Sequence, residues 1–182
     1  MSSPDFDLYQ QLVLEHKRSP RCFGTLPAPT HQARGRNPSC GDDIGVQLQV
    51  AGDVLQDIRF EGRGCAICIA SASMMSEAVR GQKVDDAKAL QQRFRAVITG
   101  EVEPEEAHLG KLVSLGAVRR YPSRIKCALL GWHALMHALQ GAGAGANGAA
   151  APAEEDPDIV VDHDAGAAGG AAAASPPDGA PR

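Results

Sequence analysis

The chain has 182 residues, 22 acidic against 18 basic side chains and a formal charge of −4, which bounds it to one domain or one domain with an appendage. Aromatic residues make up 4% of it, and neither a basic surplus nor stacking platforms are present, so composition excludes a nucleic-acid binder. No run approaches the roughly twenty apolar residues of a membrane span, and residues 1–7 lack the basic and apolar regions of a secretory leader.

A cytoplasmic protein is therefore expected. Its five cysteines are read as reduced, metal-bound or reactive rather than disulfide-bonded.

Phe6, Leu8, Tyr9, Leu12, Val13 and Leu14 have helical spacing, which predicts a first helix over 6–17 with Pro4 and Asp5 at its start. A Pro-rich loop follows through Pro29, and residues 31–36 read as a short strand. Ile44, Val46, Leu48 and Val50 alternate with Gly45, Gln47 and Gln49. After the turn Ala51-Gly52-Asp53, the residues Val54, Ile58 and Phe60 continue in a second strand. This is an antiparallel hairpin extended into a meander.

Gly62 and Gly64 break the strand, and a helix is predicted from Cys65 to Val79. Its small residues Ala66, Ala70, Ser71, Ala72 and Ser73 permit close packing. Gly81 stops it. A further helix spans 84–98.

Residues 101–121 read as an added element, with Pro104, Glu105 and Glu106 at a helix start and Gly116 at its end. The last helix covers 123–139 with Ala128, Leu129, Trp132, Leu135, Met136 and Leu139 on one stripe. Helix, strands, then helices indicate an α+β fold: an N-terminal helix, a small antiparallel three-stranded sheet and helices packed on it.

Residues 141–182 contain 15 Ala, 8 Gly and 5 Pro and no aromatic residue. Such a segment buries too little apolar surface to offset its ordering entropy, so a disordered acidic tail is expected behind a folded part at 1–140. The tail holds seven acids and one Arg, which leaves the folded part at about +2.

Three cysteines stand in separate segments: Cys40 in Asn37-Pro38-Ser39-Cys40-Gly41-Asp42, Cys65 after Gly62-Arg63-Gly64, and Cys127 after Arg124-Ile125-Lys126. Each lies at an element end, where side chains converge and stay accessible. A helix N-terminus favours a thiolate. With Asp42 they suit a tetrahedral zinc ion or a place where sulfur and iron are handled. Their spacing matches no short zinc-finger pattern, so by spacing alone they read equally as ordinary buried cysteines.

The frames go further. Asn37–Asp42, Gly64-Cys65-Ala66-Ile67 with Ala70-Ser71-Ala72-Ser73, and Lys126-Cys127-Ala128-Leu129 with Trp132 together resemble the U-type iron–sulfur assembly family. That family contains IscU, the N-terminal domain of NifU and SufU. The resemblance runs from about Leu8 to Leu139 and implies a SufE/NifU-like fold.

Three features favour the SufU type over the IscU type. IscU-type scaffolds carry His before the third Cys, where this chain has Lys126, and a protonated lysine has no lone pair for a metal. The stretch Arg119-Arg120-Tyr121-Pro122-Ser123-Arg124 lacks the IscU Leu-Pro-Pro-Val-Lys chaperone motif. Residues 101–121 look like the SufU insertion.

The resemblance implies an iron–sulfur cluster assembly protein with zinc held by Cys40, Asp42, Cys65 and Cys127. It also implies a sulfurtransferase-like role: Cys40 accepts persulfide sulfur from a SufS-type cysteine desulfurase, freed when a desulfurase His displaces it at the zinc. A SufBCD-type scaffold would lie downstream. Asp42, a harder ligand than thiolate, leaves such a site labile. Arg124 is expected to offset the site's charge or guide the incoming sulfur. Two alternatives stand: a scaffold on which a [2Fe–2S] cluster is built with iron by the same residues, and a purely structural zinc site.

Cys68 completes a C-x-x-C with Cys65, but relatives usually carry Ser there and no βαβ setting surrounds it. It is read as a packed small residue, with a spare or resolving thiol as the alternative. Cys22 stands where relatives usually have Asn and is read as incidental. His133 and His137, one turn apart on the last helix, are assigned to packing or exposure rather than ligation. Of Asp42 and Asp43, only Asp42 should face the site, because adjacent strand residues point opposite ways.

Overall fold

The computed structural model describes residues 4–104, 109–141 and 159–162. Helix α1 (Pro4–Arg18) ends in Lys17 and Arg18, cations placed favourably at the negative end of the helix dipole. Tyr9, Val13 and His16 form its buried stripe, whereas Leu8 and Leu14 are exposed.

Strands β1 (His31–Asn37), β2 (Asp42–Ala51) and β3 (Val54–Arg63) form the expected antiparallel meander. Ile44, Val46 and Leu48 are fully buried on one face of β2. Each such side chain stabilises the fold by about 1.5–3 kcal/mol.

On β3 the expected inward set changes. The pairing register shifts between Gln49 and Val50, so Val50 faces Leu55 while Gln49 faces Asp57. The extra residue rephases the strand end. Leu55 is fully buried with Ile58 and Phe60, and Val54 is only half-buried.

Helix α2 (Ala66–Val79) and helix α3 (Val84–Thr99) follow as predicted. The buried serines of α2 act as polar latches. Ser71 Oγ donates to Ala128 O at 2.6 Å. Ser73 Oγ lies 2.7 Å from His16 Nδ1 and accepts from Arg21 N at 2.7 Å. Close packing of α2 is real: a Cβ added at Gly131 would stand 3.2 Å from Ala72 Cβ.

The 101–121 element is a 3₁₀ segment, Gly110–Arg120, with Leu112, Leu115, Gly116 and Val118 buried. Gly116 does not end it. It sits inside, where a Cβ would come within 3.2 Å of Pro104 Cγ and 3.3 Å of Val97 Cγ1. Pro104 itself is not helical and Leu109 is; Glu105 and Glu106, on which the expected helix start falls, lie outside the described residues.

Helix α4 (Pro122–Gly141) closes the core. Its Trp132 stacks on Phe94 of α3 with ring centroids 4.7 Å apart.

The tail expectation needs one correction. Residues Val160–Asp162 form a short strand β4, antiparallel to β1, giving the sheet order β3-β2-β1-β4. Three β-branched residues in a row (Ile159, Val160, Val161) suit a strand edge even inside an Ala/Gly-rich stretch. Residues 142–158 and 163–182 lie outside the description.

Candidate metal centre

The site is built at one end of the sheet. β1 runs into a turn that Asn37 organises: its side-chain Oδ1 accepts from Ser39 N at 3.1 Å, and its carbonyl accepts from Cys40 N at 3.2 Å and Gly41 N at 2.9 Å. Gly41 has φ +70°, a left-handed conformation that a glycine adopts without a Cβ penalty. Cys40 is thereby presented at the surface. Asp42, the first residue of β2, turns inward and is 3% exposed. Asp43 turns to the other face, where Arg34 Nε donates to it at 2.6 Å.

Gly62, at φ +135°, brings β3 against β2 so tightly that a Cβ there would lie 2.0 Å from Asp43 O. Beyond it, Cys65 caps α2: its Sγ accepts from Cys68 N at 3.4 Å. The Asp42 carboxylate accepts from Cys65 N at 3.0 Å, which joins the start of β2 to the start of α2. Cys127 enters from α4 and is fully buried.

Sγ of Cys40, Sγ of Cys127 and a carboxylate oxygen of Asp42 lie within 4.8 Å of one another. Cys127 Sγ donates to Cys40 Sγ at 3.5 Å. Cys65 is not part of that group, but its thiol is influenced by neighbouring Cys127. Donation from Cys127 lowers the Cys65 thiol to about 6 against the effect of burial. The same hydrogen bond, followed by burial, raises Cys127.

The donor set fits zinc. Two sulfurs bound to one tetrahedral zinc at about 2.3 Å stand about 3.8 Å apart, close to the 3.5 Å between Cys127 and Cys40. Asp42 Oδ2 is buried and has no hydrogen-bond partner. A buried carboxylate oxygen without a partner is costly unless something binds it.

Among the cations near the motifs in sequence, Arg124 stands in the first turn of α4, three residues before Cys127. Hydrogen bonding to Cys127, followed by the charges of Cys65 and Cys127, holds its guanidinium above the usual range. Arg34 is instead paired with Asp43, and lies 3.5 Å from Glu61.

Cys68 is fully buried. Burial, then the negative charge of Asp42, raises its thiol. Cys22 has φ +56° and is the non-glycine residue with positive φ among the described residues. That explains Asn in its frame, since Asn tolerates the left-handed region. His133 is buried in α4.

Two supports were not legible in the sequence. Lys17 Nζ donates to Gly64 O at 3.2 Å, tying α1 to the Cys65 loop. The Cys68 side chain packs where a Cβ on Gly64 would stand, 3.0 Å from its Sγ. The first joins segments 47 residues apart; the second is local, set by the turn that starts α2.

Known proteins bear on this geometry. The zinc-dependent sulfurtransferase SufU of Bacillus subtilis is 38% identical over 128 residues, covering 70% of this chain and 86% of its own. The iron–sulfur cluster assembly scaffold protein IscU of Streptococcus pyogenes is 37% identical over 133 residues, covering 73% and 83%. A crystal structure of SufU from Fervidobacterium islandicum, described as a cluster assembly scaffold for the SUF system, superposes with TM-score 0.69 at 31% identity, covering 73% of this chain and 97% of that one. The family model of the NifU-like N-terminal domain matches residues 8–128, and the chain belongs to that family.

Proposed function

We propose that this protein is the zinc-dependent sulfur-transfer member of an iron–sulfur cluster assembly system, with Cys40 as the sulfur acceptor and a SufS-type cysteine desulfurase as donor. The observation that carries the reading is the contrast within the thiol cluster. Cys127 is fully buried and Cys65 half-buried, whereas Cys40 is exposed on a glycine turn and still touches Cys127. One thiol can meet an outside partner while the others stay anchored.

Cys40, Asp42, Cys65 and Cys127 would hold the zinc. When bound, the ion keeps the thiolates deprotonated at neutral pH. The Cys40 thiolate attacks the outer sulfur of the desulfurase persulfide. A new S–S bond forms at Cys40 Sγ, the persulfide S–S bond breaks, and the desulfurase cysteine leaves as thiolate. Arg124, already against Cys127, offsets the negative charge that gathers as two anions approach. The sulfur then passes to a SufBCD-type scaffold.

The deciding measurement is zinc, iron and sulfide per chain in the purified protein, followed by its effect on a cysteine desulfurase. Stoichiometric zinc with strong activation is the expected result. Iron and sulfide without activation would replace this reading with that of a [2Fe–2S] scaffold.

A further inference from the structure

The apolar content of residues 141–182 is concentrated at one place. Ile159, Val160 and Val161 are the only Ile, Val, Leu, Met or aromatic residues in that stretch. That run is what pairs with the sheet. Arg36 faces Val160, Gly35 faces Val161 and Arg34 faces Asp162 in an antiparallel register. Ile159, just ahead of the strand, is half-buried against the core, and β4 also touches α4.

We propose that the outer edge of β1 is a docking site for an extended peptide strand, with residues 159–162 as its resident occupant, bound in cis. Three observations carry this. An edge strand offers a row of backbone donors and acceptors that any β-prone segment can complete. The occupant ends in Asp162 and is flanked in sequence by Asp156, Asp158 and Asp164, while the receiving strand carries Arg34, paired with Asp43, and Arg36, 3.8 Å from the same carboxylate. The site also lies beside the candidate metal centre: Arg36 is followed by Asn37, whose carbonyl anchors the turn bearing Cys40.

The chemistry selects a partner class: an extended segment with a β-branched centre and acidic flanks. The chain's own segment holds the edge at the local concentration that a covalent tether provides, on the order of millimolar. A segment of another molecule reaches the rim beside Cys40 only by displacing it.

Hydrogen–deuterium exchange on the full chain and on a Val160→Pro/Val161→Pro variant tests this. Successive strand amides point to opposite sides, so the double substitution removes one facing β1 whichever it is. The amides of Arg34–Arg36 that face β4 should exchange at least about tenfold faster in the variant, with β3 unchanged. A synthetic peptide of residues 156–164 should restore protection to the variant and, below about 1 mM, leave the parent chain unaltered. Equal exchange in the two chains would overturn the proposal. So would restoration by a peptide with glycine at positions 159–161. Protection that vanishes on dilution together with a dimer in sedimentation would assign the occupant to a second copy and overturn binding in cis.

Discussion

The Asp42 carboxylate accepts a hydrogen bond from the backbone N–H of Cys65 at 3.0 Å, so one proposed ligand fixes the helix start that carries another. Its second oxygen has no partner. One oxygen therefore serves the fold, and the other is the one proposed to face a cation.

Substitution separates them. Asp42→Ala should weaken zinc binding by at least about tenfold and, in the metal-free protein, lower stability by about 1–2 kcal/mol through the lost hydrogen bond. Asp42→Asn keeps an acceptor for Cys65 N–H and should restore most of the stability but little of the affinity. Urea denaturation and competition with a chromophoric chelator read the two effects. Native affinity in Asp42→Asn would remove the carboxylate from the ligand set.

Cys40→Ala should abolish sulfur uptake, measured by mass spectrometry after incubation with a desulfurase and free cysteine. Cys68→Ser should accept sulfur as the parent chain does, because the Cys68 side chain is wholly buried. Continued uptake by Cys40→Ala would assign the acceptor elsewhere.

Arg124 is exposed at the start of α4, and its guanidinium is held above the usual range by hydrogen bonding to Cys127 and then by the charges of Cys65 and Cys127. Arg124→Gln should retain zinc and fold normally, while the rate of sulfur uptake falls about several-fold as the compensating charge is lost. Rescue by Arg124→Lys would separate charge from geometry. An unchanged rate with retained zinc would leave Arg124 without a role in transfer.

The two glycines of positive φ beside the site should respond differently. At Gly62 an added Cβ meets Asp43 O at 2.0 Å, backbone that cannot move aside, whereas at Gly41 it meets nothing within 4 Å. Gly41→Ala should cost about 1 kcal/mol, the left-handed penalty alone. Gly62→Ala should cost more than about 2 kcal/mol. Paired denaturation curves check the order; equal costs would mean the strand contact relaxes freely.

His16 predicts an acid limit to stability. Burial, then the charge of Arg21, lowers its pKa, with Glu77 and Glu15 partly opposing. The unfolded chain therefore takes up a proton near 6.5 that the folded chain still refuses. Stability should be fully present above about pH 6.5 and decline as pH falls below it, by at most about 1.4 kcal/mol per pH unit from this group. His16→Gln should flatten that slope between pH 7 and 5 in thermal melts; an unaltered slope would place the acid sensitivity elsewhere.

Much of the architecture was legible because it is local. The alternation of Ile44, Val46 and Leu48 marks a half-buried strand, and the small residues after Cys65 mark a helix that admits close neighbours. Leu55 was left out of the apolar set of the second strand because a bulge changes which residues face inward, and a bulge is set by the partner strand. Gly116 was read as a helix stop because glycine usually marks one; its actual reason is the approach of Pro104 and Val97. The strand at Val160–Asp162 was hidden by its surroundings: composition averaged over residues 141–182 masks a three-residue run that becomes a strand only when β1 offers its edge.

By itself the sequence determined which residue types were available for chemistry: three framed cysteines, a lone inward aspartate, and Lys126 where a histidine would have offered a lone pair. Only the tertiary structure decided that Cys40, Asp42 and Cys127 meet. Cys40 and Cys127 are separated by 87 residues yet their sulfurs stand 3.5 Å apart, because the β1–β2 turn, the α2 cap and α4 pack against one end of the same sheet. Burial then assigns different exposures to chemically identical thiols. Desolvation and hydrogen bonding depend on neighbours in space, and no spacing along the chain encodes them.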